Sequence, residues 1–383
     1  MNEHGSRSAF DVQSLPAWRR AVLKVGSSLL AGDGGGLSPR YVEAIAAFMR
    51  AAHAQGRDVV LVSSGAVAAG RALATPLSAN GAGMAERQAL AALGQAQLMG
   101  FWQGFFERPV AQVLLTHDDL RNRRRYLNAR ATLAALLGFG ALPIVNENDT
   151  VSVDELKLGD NDNLAGVVAA LVDADLLLIA TDVDGLYDRD PRRHADARPV
   201  MQVERVDEAV MASAGGAGSA AGTGGMATKL EAAARAARAG IATALFNGRD
   251  GAVLEALGRD RLVGTRVLPA ASRVAARKHW LLSAPLEPGA ILLDEGAARA
   301  VAGQGASLLA GGICGVEGEF RRGDAVLLAC RDAAGERRVA RGISQYSASD
   351  IRCIAGRHSR EIEALLGYSY GGSIVHRDDL VLL

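Results

Sequence analysis

From residue 21 to about 268, short apolar runs alternate with longer stretches whose apolar residues recur at helical spacing. Ala21–Val25, Asp58–Val62, Val110–Leu115, Ala141–Val145, Leu176–Ala180 and Ile241–Phe246 read as strands. Most are continuous rather than alternating, the pattern of strands covered on both faces. Between them, Pro39–Ala54, Met84–Phe106, Leu120–Leu137, Asn163–Val172 and Met226–Ala239 read as helices. Alternation of this kind predicts an α/β fold in which a mainly parallel sheet lies between two helical layers. Ligands of such sheets bind in the crevice at the carboxyl ends of the strands. The polar segments that follow each strand are therefore the places to look for chemistry.

The pattern changes near Leu268–Pro288, where Pro269, Pro285 and Pro288 flank a short apolar and basic segment. Beyond it, Ala290–Leu293, Ala325–Ala329, Arg338–Ile343 and Leu380–Leu383 are short β-like runs among glycine-rich turns. The expected division is an N-terminal extension over 1–20, an α/β domain over 21–268, a linker over 269–286, and a small, mostly β domain over 287–383. A length of 383 residues also favours two domains over one. The Gly/Ala/Ser stretch Ala212–Gly225 leads straight into a helix and is expected to be a mobile functional loop.

Charge removes some partners from consideration. Lys+Arg and Asp+Glu both number 42, so the chain has no overall electrostatic footprint for nucleic acid or an anionic membrane. No run approaches the roughly 18 apolar residues of a membrane span, and the first 20 residues contain no signal-peptide core. Three widely spaced cysteines (Cys314, Cys330, Cys353) form no CxxC pattern. They suit neither a disulfide framework nor a zinc site, and a reducing cytoplasm is the simple reading. Only four of the 42 basic residues are lysine: Lys24, Lys157, Lys229 and Lys278. A compact point charge differs from a guanidinium, and three of these lysines fall inside the motifs below; codon bias is the plain alternative.

Lys24-Val25-Gly26-Ser27-Ser28 follows the first strand, where a glycine lets backbone approach a phosphate and a lysine supplies charge. A strand-end turn with a solvated lysine would look the same. Ser63-Ser64-Gly65-Ala66 opens a helix and reads either as an anion site or as ordinary N-capping. Asn146-Glu147-Asn148-Asp149 and Lys157-Leu158-Gly159-Asp160-Asn161-Asp162-Asn163 follow a later strand. Any one Asn or Asp there could be a cap, but their density suits a zwitterionic substrate. Thr181-Asp182-Val183-Asp184-Gly185-Leu186-Tyr187 reads as a loop beside a nucleoside, with an Asp-Gly turn as its ordinary component. Gly222-Thr223-Gly224-Gly225-Met226-Ala227-Thr228-Lys229 combines small residues, a helix start and a lysine, a phosphate cradle without Walker A spacing. A flexible loop beside an alanine-rich helix remains the alternative.

In order, KVGSSLL (Lys24–Leu30), VSSGAVAAGR (Val62–Arg71), LNAR (Leu127–Arg130), Val145–Leu164, Thr181–Pro191 and GTGGMATKL (Gly222–Leu230) resemble the glutamate 5-kinase branch of the amino acid kinase family. Asp294–Ala297, Gly318–Asp324, Ala355–Tyr368 and His376–Leu380 resemble the PUA domain that bacterial members append. The likeness covers nearly the whole chain from Ala21, with an N-terminal extension longer than usual and expected to be disordered. It implies a three-layer amino acid kinase fold with a PUA-like domain. The implied reaction is MgATP-dependent phosphorylation of the L-glutamate γ-carboxylate, the first step of proline synthesis.

By this resemblance Lys24 and Lys229 flank the moving phosphoryl group and Asp162 holds both. Ser64, Asp149 and Asn161 contact the substrate, with Gly65, Asn146 and Lys157 beside them. Lys24, Thr181, Asp182, Thr223, Gly224, Gly225, Met226, Ala227, Thr228 and Lys229 contact ATP. Mg²⁺ is expected to be held chiefly by phosphates and water. The implied partners are L-proline as inhibitor, glutamyl phosphate reductase, and further copies of the chain in a dimer or tetramer. A carboxylate acceptor, with an ordinary pKa near ~4.3, needs no general base at neutral pH.

Two other readings compete. PUA domains elsewhere bind RNA, but residues 287–383 hold eleven Lys+Arg against thirteen Asp+Glu and no basic run longer than two, so counterion release contributes little. The same kinase core with aspartate, N-acetylglutamate or UMP as acceptor is the other. N-acetylation removes the ammonium that Asp149 would recognise.

Overall fold

The computed structural model describes residues 9–32, 35–74, 83–152, 161–194, 196–214, 225–272, 289–332 and 335–383. It separates into two compact units, with the division after Ser272.

Among the described residues the first unit has ten strands: β1 (Val12–Ser14), β2 (Arg20–Val25), β3 (Asp58–Ser63), β4 (Val110–Leu115), β5 (Leu142–Glu147), β6 (Leu176–Thr181), β7 (Gln202–Val203), β8 (Ala242–Asn247), β9 (Arg261–Val263) and β10 (Thr265–Val267). Eight of them form one sheet in the order β4-β5-β3-β2-β6-β8-β10-β7. From β4 to β8 all neighbours are parallel; β10 runs antiparallel to β8. The chain moves outward from β2 to one side through β3, then returns and moves outward through β6 and β8. The reversal places a crevice at the carboxyl ends of β2, β3 and β6.

Its helices are α1 (Ser27–Leu30), α2 (Val42–Ala54), α3 (Ala66–Leu73), α4 (Met84–Gln103), α5 (His117–Arg121), α6 (Arg123–Gly138), α7 (Asn161–Leu171), α8 (Glu208–Ser213), α9 (Met226–Arg238) and α10 (Gly251–Gly258). Side chains alternate across each strand, so the sheet feeds two separate cores. Leu23, Val25, Val59 and Leu61 pack with residues of α2, α4 and α10. Val22, Val60, Val62 and Ile179 pack with residues of α6, α7 and α9. The expected three-layer α/β/α arrangement is the one observed. Helix α4 lies directly against α3 because both lack a side chain at the contact. A Cβ on Gly94 would sit 1.8 Å from the Ala66 carbonyl, and one on Gly70 would sit 1.9 Å from that of Leu90.

The boundaries differ from the sequence reading at places with local causes. The helix expected over Leu120–Leu137 is two helices, because Asn122 turns extended and caps α6 by accepting the Arg125 amide. The extension expected to be disordered over residues 1–20 is instead built into the first unit from Ala9 onward. There Phe10, Leu15 and Trp18 are buried and β1 pairs antiparallel with β9. The apolar residues are too sparse for periodicity to show, and their partners lie some 250 residues away in sequence. Lys157, Thr223, Gly224 and most of the loop expected over Ala212–Gly225 lie outside the described residues.

The second unit is a six-stranded sheet with its own core, which includes Ile291, Leu328, Tyr346 and Ile351. A helix over Glu295–Gln304 and another over Ala348–Ile354 cover it. Among the described residues no helix is long and apolar enough to cross a membrane.

Candidate active site

Lys24 is one residue from the end of β2. Alternation puts it on the same face as Val22, the face covered by α7 and α9. Those helices supply its neighbours: Asp162 from the first turn of α7 and Lys229 from the first turn of α9. The Lys24 ammonium lies 2.5 Å from Asp162 Oδ1, and that of Lys229 3.1 Å from Oδ2. Thr228 Oγ1 lies 3.0 Å from Asp162 Oδ2 and 2.8 Å from the Gly225 carbonyl. Asp162 is fully buried, and Lys24 and Lys229 are 5% and 7% exposed. Among the described residues one carboxylate thus faces two lysine ammonium groups, an excess of one positive charge within this trio. A buried charge without full compensation is expensive, and each ammonium has three N–H donors, so the cluster favours an added anion.

The start of α9 adds to this. Its N-cap is Gly225, which offers no capping side chain, and the first N–H groups of a helix have no partner within it. Met226, Ala227 and Thr228 supply those amides. On the opposite side, Gly65 adopts φ +107 to begin α3, a conformation that disfavours any other residue. The preceding Ser64 amide donates to the Val25 carbonyl. Ser63, fully buried, accepts the indole N–H of Trp102 at 2.9 Å.

A line of carboxamides leads away from the lysines. Asn161, adjacent to Asp162, donates through Nδ2 to Ser64 Oγ (2.8 Å) and to Asn146 Oδ1 (3.0 Å). Asn146 donates in turn to Gln95 Oε1 on α4 at 3.0 Å. Asp149 follows β5 in the same polar segment. Burial, reinforced by neighbouring Glu147, pushes its carboxyl up to about 6, and the Arg87 charge only partly opposes this. Ser152 donates to Glu147 Oε1 at 2.6 Å.

Thr181 ends β6 beside β2, and Asp182 follows it. Thr181 is buried and its carbonyl accepts the Gly248 amide at 2.8 Å. Asp182 lies 3.7 Å from the Arg249 guanidinium, which also sits over the Tyr41 ring. Among the described residues no group of three or more His, Cys, Asp or Glu side chains is arranged to hold a metal.

The structure therefore gathers Lys24, Asp162, Thr228 and Lys229 into one cluster, and Ser64, Asn146 and Asn161 into a hydrogen-bonded line next to it. Thr181 and Asp182 stand at the adjoining strand end, with no hydrogen bond to either set among the described residues. The sequence pattern does not point to Gln95, Arg87, Glu147 or Arg249. Glu147 lies inside a dense polar run, but Gln95 and Arg87 belong to α4, where nothing local sets them apart.

These features define a three-layer α/β core with a cationic cluster at its strand ends, and the chain belongs to the amino acid kinase family: residues 19–247 match that family and residues 289–366 match the PUA domain. Among its relatives, the glutamate 5-kinase of Xanthomonas euvesicatoria pv. vesicatoria (strain 85-10) is 68% identical over 362 residues, covering 94% of this chain and 100% of that one. The glutamate 5-kinase of Xylella fastidiosa (strain M23) is 64% identical over 377 residues, 98% of each chain. A solved UMP kinase from Bacillus anthracis is similar over 67% of this chain and 98% of its own, with 17% identity and a TM-score of 0.48.

Proposed function

We propose that this chain transfers the γ-phosphoryl group of MgATP to the side-chain carboxylate of L-glutamate, giving L-glutamyl 5-phosphate and ADP. The observation that carries the reading is the buried Lys24–Asp162–Lys229 cluster with its excess positive charge. The acceptor is already an anion, so no base is required. The obstacle is bringing a carboxylate against a polyphosphate, and positioned cations are the remedy. A γ-carboxylate oxygen forms the new O–P bond as the bond to the β-phosphate oxygen breaks, and ADP leaves with that electron pair. Lys24 and Lys229 neutralise charge on the transferring group, while Asp162 fixes their positions.

In this reading Ser64, Asn161, Gly65 and Asp149 hold glutamate, with Asn146 behind them and Lys157 nearby in sequence. Thr181, Asp182 and the segment Thr223–Lys229 hold the nucleotide. Magnesium arrives as MgATP; both Asp162 oxygens already face cations, so that carboxylate is a poor metal ligand. The reading further places the chain in the cytoplasm at the first step of proline synthesis. Proline is then an inhibitor at the glutamate site, a glutamyl phosphate reductase receives the labile acyl phosphate, and the enzyme works as a dimer or tetramer. Catalysis is assigned to a kinase domain over 21–268, joined by 269–286 to a PUA-like domain over 287–383 with a structural or regulatory role.

The test is ADP release from MgATP with glutamate, aspartate, N-acetylglutamate or UMP, with hydroxylamine present to trap acyl phosphate. Glutamate-dependent turnover yielding a hydroxamate, suppressed by proline, supports the whole reading. Turnover with another acceptor alone would overturn the substrate assignment.

A further inference from the structure

We infer that Gln95, on a helix outside the reacting groups, is a positioning residue that sets the hydrogen-bond polarity of the glutamate site. The inference rests on the proposed reaction and extends it to how the acceptor is oriented.

A carboxamide can face either way unless a neighbour with fixed chemistry decides. Here one does. The Glu147 backbone N–H donates to Asn146 Oδ1 at 2.9 Å, and a backbone N–H has no acceptor alternative. Oδ1 is therefore on that side and Nδ2 on the other, where it meets Gln95 Oε1 at 3.0 Å. Asn146 Oδ1 also faces Asn161 at 3.0 Å, so the Asn161 atom there must be its amide nitrogen. The second N–H of that nitrogen goes to Ser64 Oγ at 2.8 Å. The direction of the whole line is thus determined from one main-chain proton.

Two consequences appear at the far end. Ser64 Oγ already accepts from Asn161, so its own proton is directed elsewhere and can be given to a carboxylate. Asn161 Oδ1 is buried and has no hydrogen-bond partner among the described residues. A buried acceptor left alone costs about 1–3 kcal/mol, a deficit that a ligand N–H removes. A hydroxyl donor beside a bare carbonyl acceptor suits a molecule carrying both a carboxylate and an ammonium. Gln95 anchors the line from the protein side. It is 8% exposed, and its Oε1 takes the Asn146 proton that would otherwise be unpaired. Gly94, its neighbour, holds this part of α4 against the backbone of α3, the helix that begins just after Ser64. Among the described residues Gln95 makes no hydrogen bond to the cationic cluster or to Thr181 and Asp182, so its influence is expected on glutamate alone.

The experiment compares Gln95→Met, which keeps the size but removes the acceptor, with Gln95→Glu, which keeps an acceptor oxygen. KM for glutamate and for ATP and the melting temperature are measured for each, and for Asn161→Ala with and without Gln95→Met. The expected result for Gln95→Met is a rise in glutamate KM of about tenfold or more, as losing one buried hydrogen-bond partner implies. ATP KM should stay within about twofold, the rise should be smaller in Gln95→Glu, and Gln95→Met should add little on top of Asn161→Ala. An unchanged glutamate KM in soluble Gln95→Met would overturn the inference. Equal increases in both KM values with a lowered melting temperature would reduce Gln95 to a packing residue and overturn it too. If Gln95→Met does not fold, a Gln95→Glu variant with the full tenfold defect has the same consequence. Should the unaltered protein show no glutamate-dependent turnover, the proposed reaction itself fails, a result distinguishable from every outcome above.

Discussion

At the scale of single residues, the arrangement around Asp162 makes the strongest demands. Removing either ammonium leaves a developing charge unopposed, so Lys24→Ala and Lys229→Ala are each expected to lower kcat by about 10²–10³, read as ADP release. Arginine should not rescue Lys24, because a planar guanidinium is larger than an ammonium and does not place the same compact charge. Asp149 predicts a pH effect. Its carboxyl takes up a proton as pH falls through about 6, and the neutral acid has no charge for the glutamate ammonium. On the proposed reading, kcat/KM for glutamate should be level above pH about 6 and fall about tenfold per unit below it; Asp149→Asn should lower the plateau and abolish the bend. Stability has its own sign. The folded state holds this proton more tightly than an ordinary carboxyl of 3.8, so from about pH 4 to 6 the group destabilises increasingly as pH rises. The scarcity of lysine made Lys24 and Lys229 legible in the sequence, because two of four lysines sat in phosphate-like motifs. That the same carboxylate joins them was not legible from spacing, since Asp162 is 138 residues from one and 67 from the other in sequence.

At the scale of elements, the strands were legible because six of them are short, mostly apolar runs, five buried on both faces and the sixth, β4 at the sheet edge, only partly covered. Each observed strand of the parallel set extends one or two residues beyond the apolar run or matches it. Those added residues, such as Ser63, Asn146, Glu147, Thr181 and Asn247, are polar, and apolarity cannot mark them. They are also the ones that reach the crevice. The α3–α4 contact was hidden for a different reason: glycine within a helical pattern reads as weakness, not as an interface. It is expected to be intolerant. Gly94→Ala gains about 1 kcal/mol of helix propensity, but its methyl would meet the Ala66 carbonyl at 1.8 Å, and backbone cannot yield as a side-chain tip does. Overpacking of this kind costs about 1–3 kcal/mol or more, so denaturant unfolding should show net destabilisation. Because α4 carries Gln95, any folded Gly94→Ala protein should also show a raised KM for glutamate.

For the whole molecule, the two units have separate hydrophobic cores. Calorimetry is therefore expected to show two transitions instead of one, and glutamate with MgATP should raise only the one belonging to the first unit. A single transition shifted as a block would count against this independence. The mostly β character of the second unit was legible from its short runs and glycine turns, whereas the order of its strands, with Ser373–Leu382 lying between Leu308–Leu309 and Gly335–Ser344, was not. The N-terminal ribbon has a consequence in time. Val12 pairs with Val263, Gln13 Nε2 donates to the Gly264 carbonyl, and Trp18 donates to Asp260. A ribosome adding about 5–20 residues per second needs on the order of 12–50 s to supply those partners after the first residues emerge. Throughout that interval the opening segment, with the apolar side chains of Phe10, Leu15 and Trp18, stays uncovered. A segment made early is thus among the last to find its place, and a nascent chain stopped short of residue 260 should remain open to protease over residues 9–20.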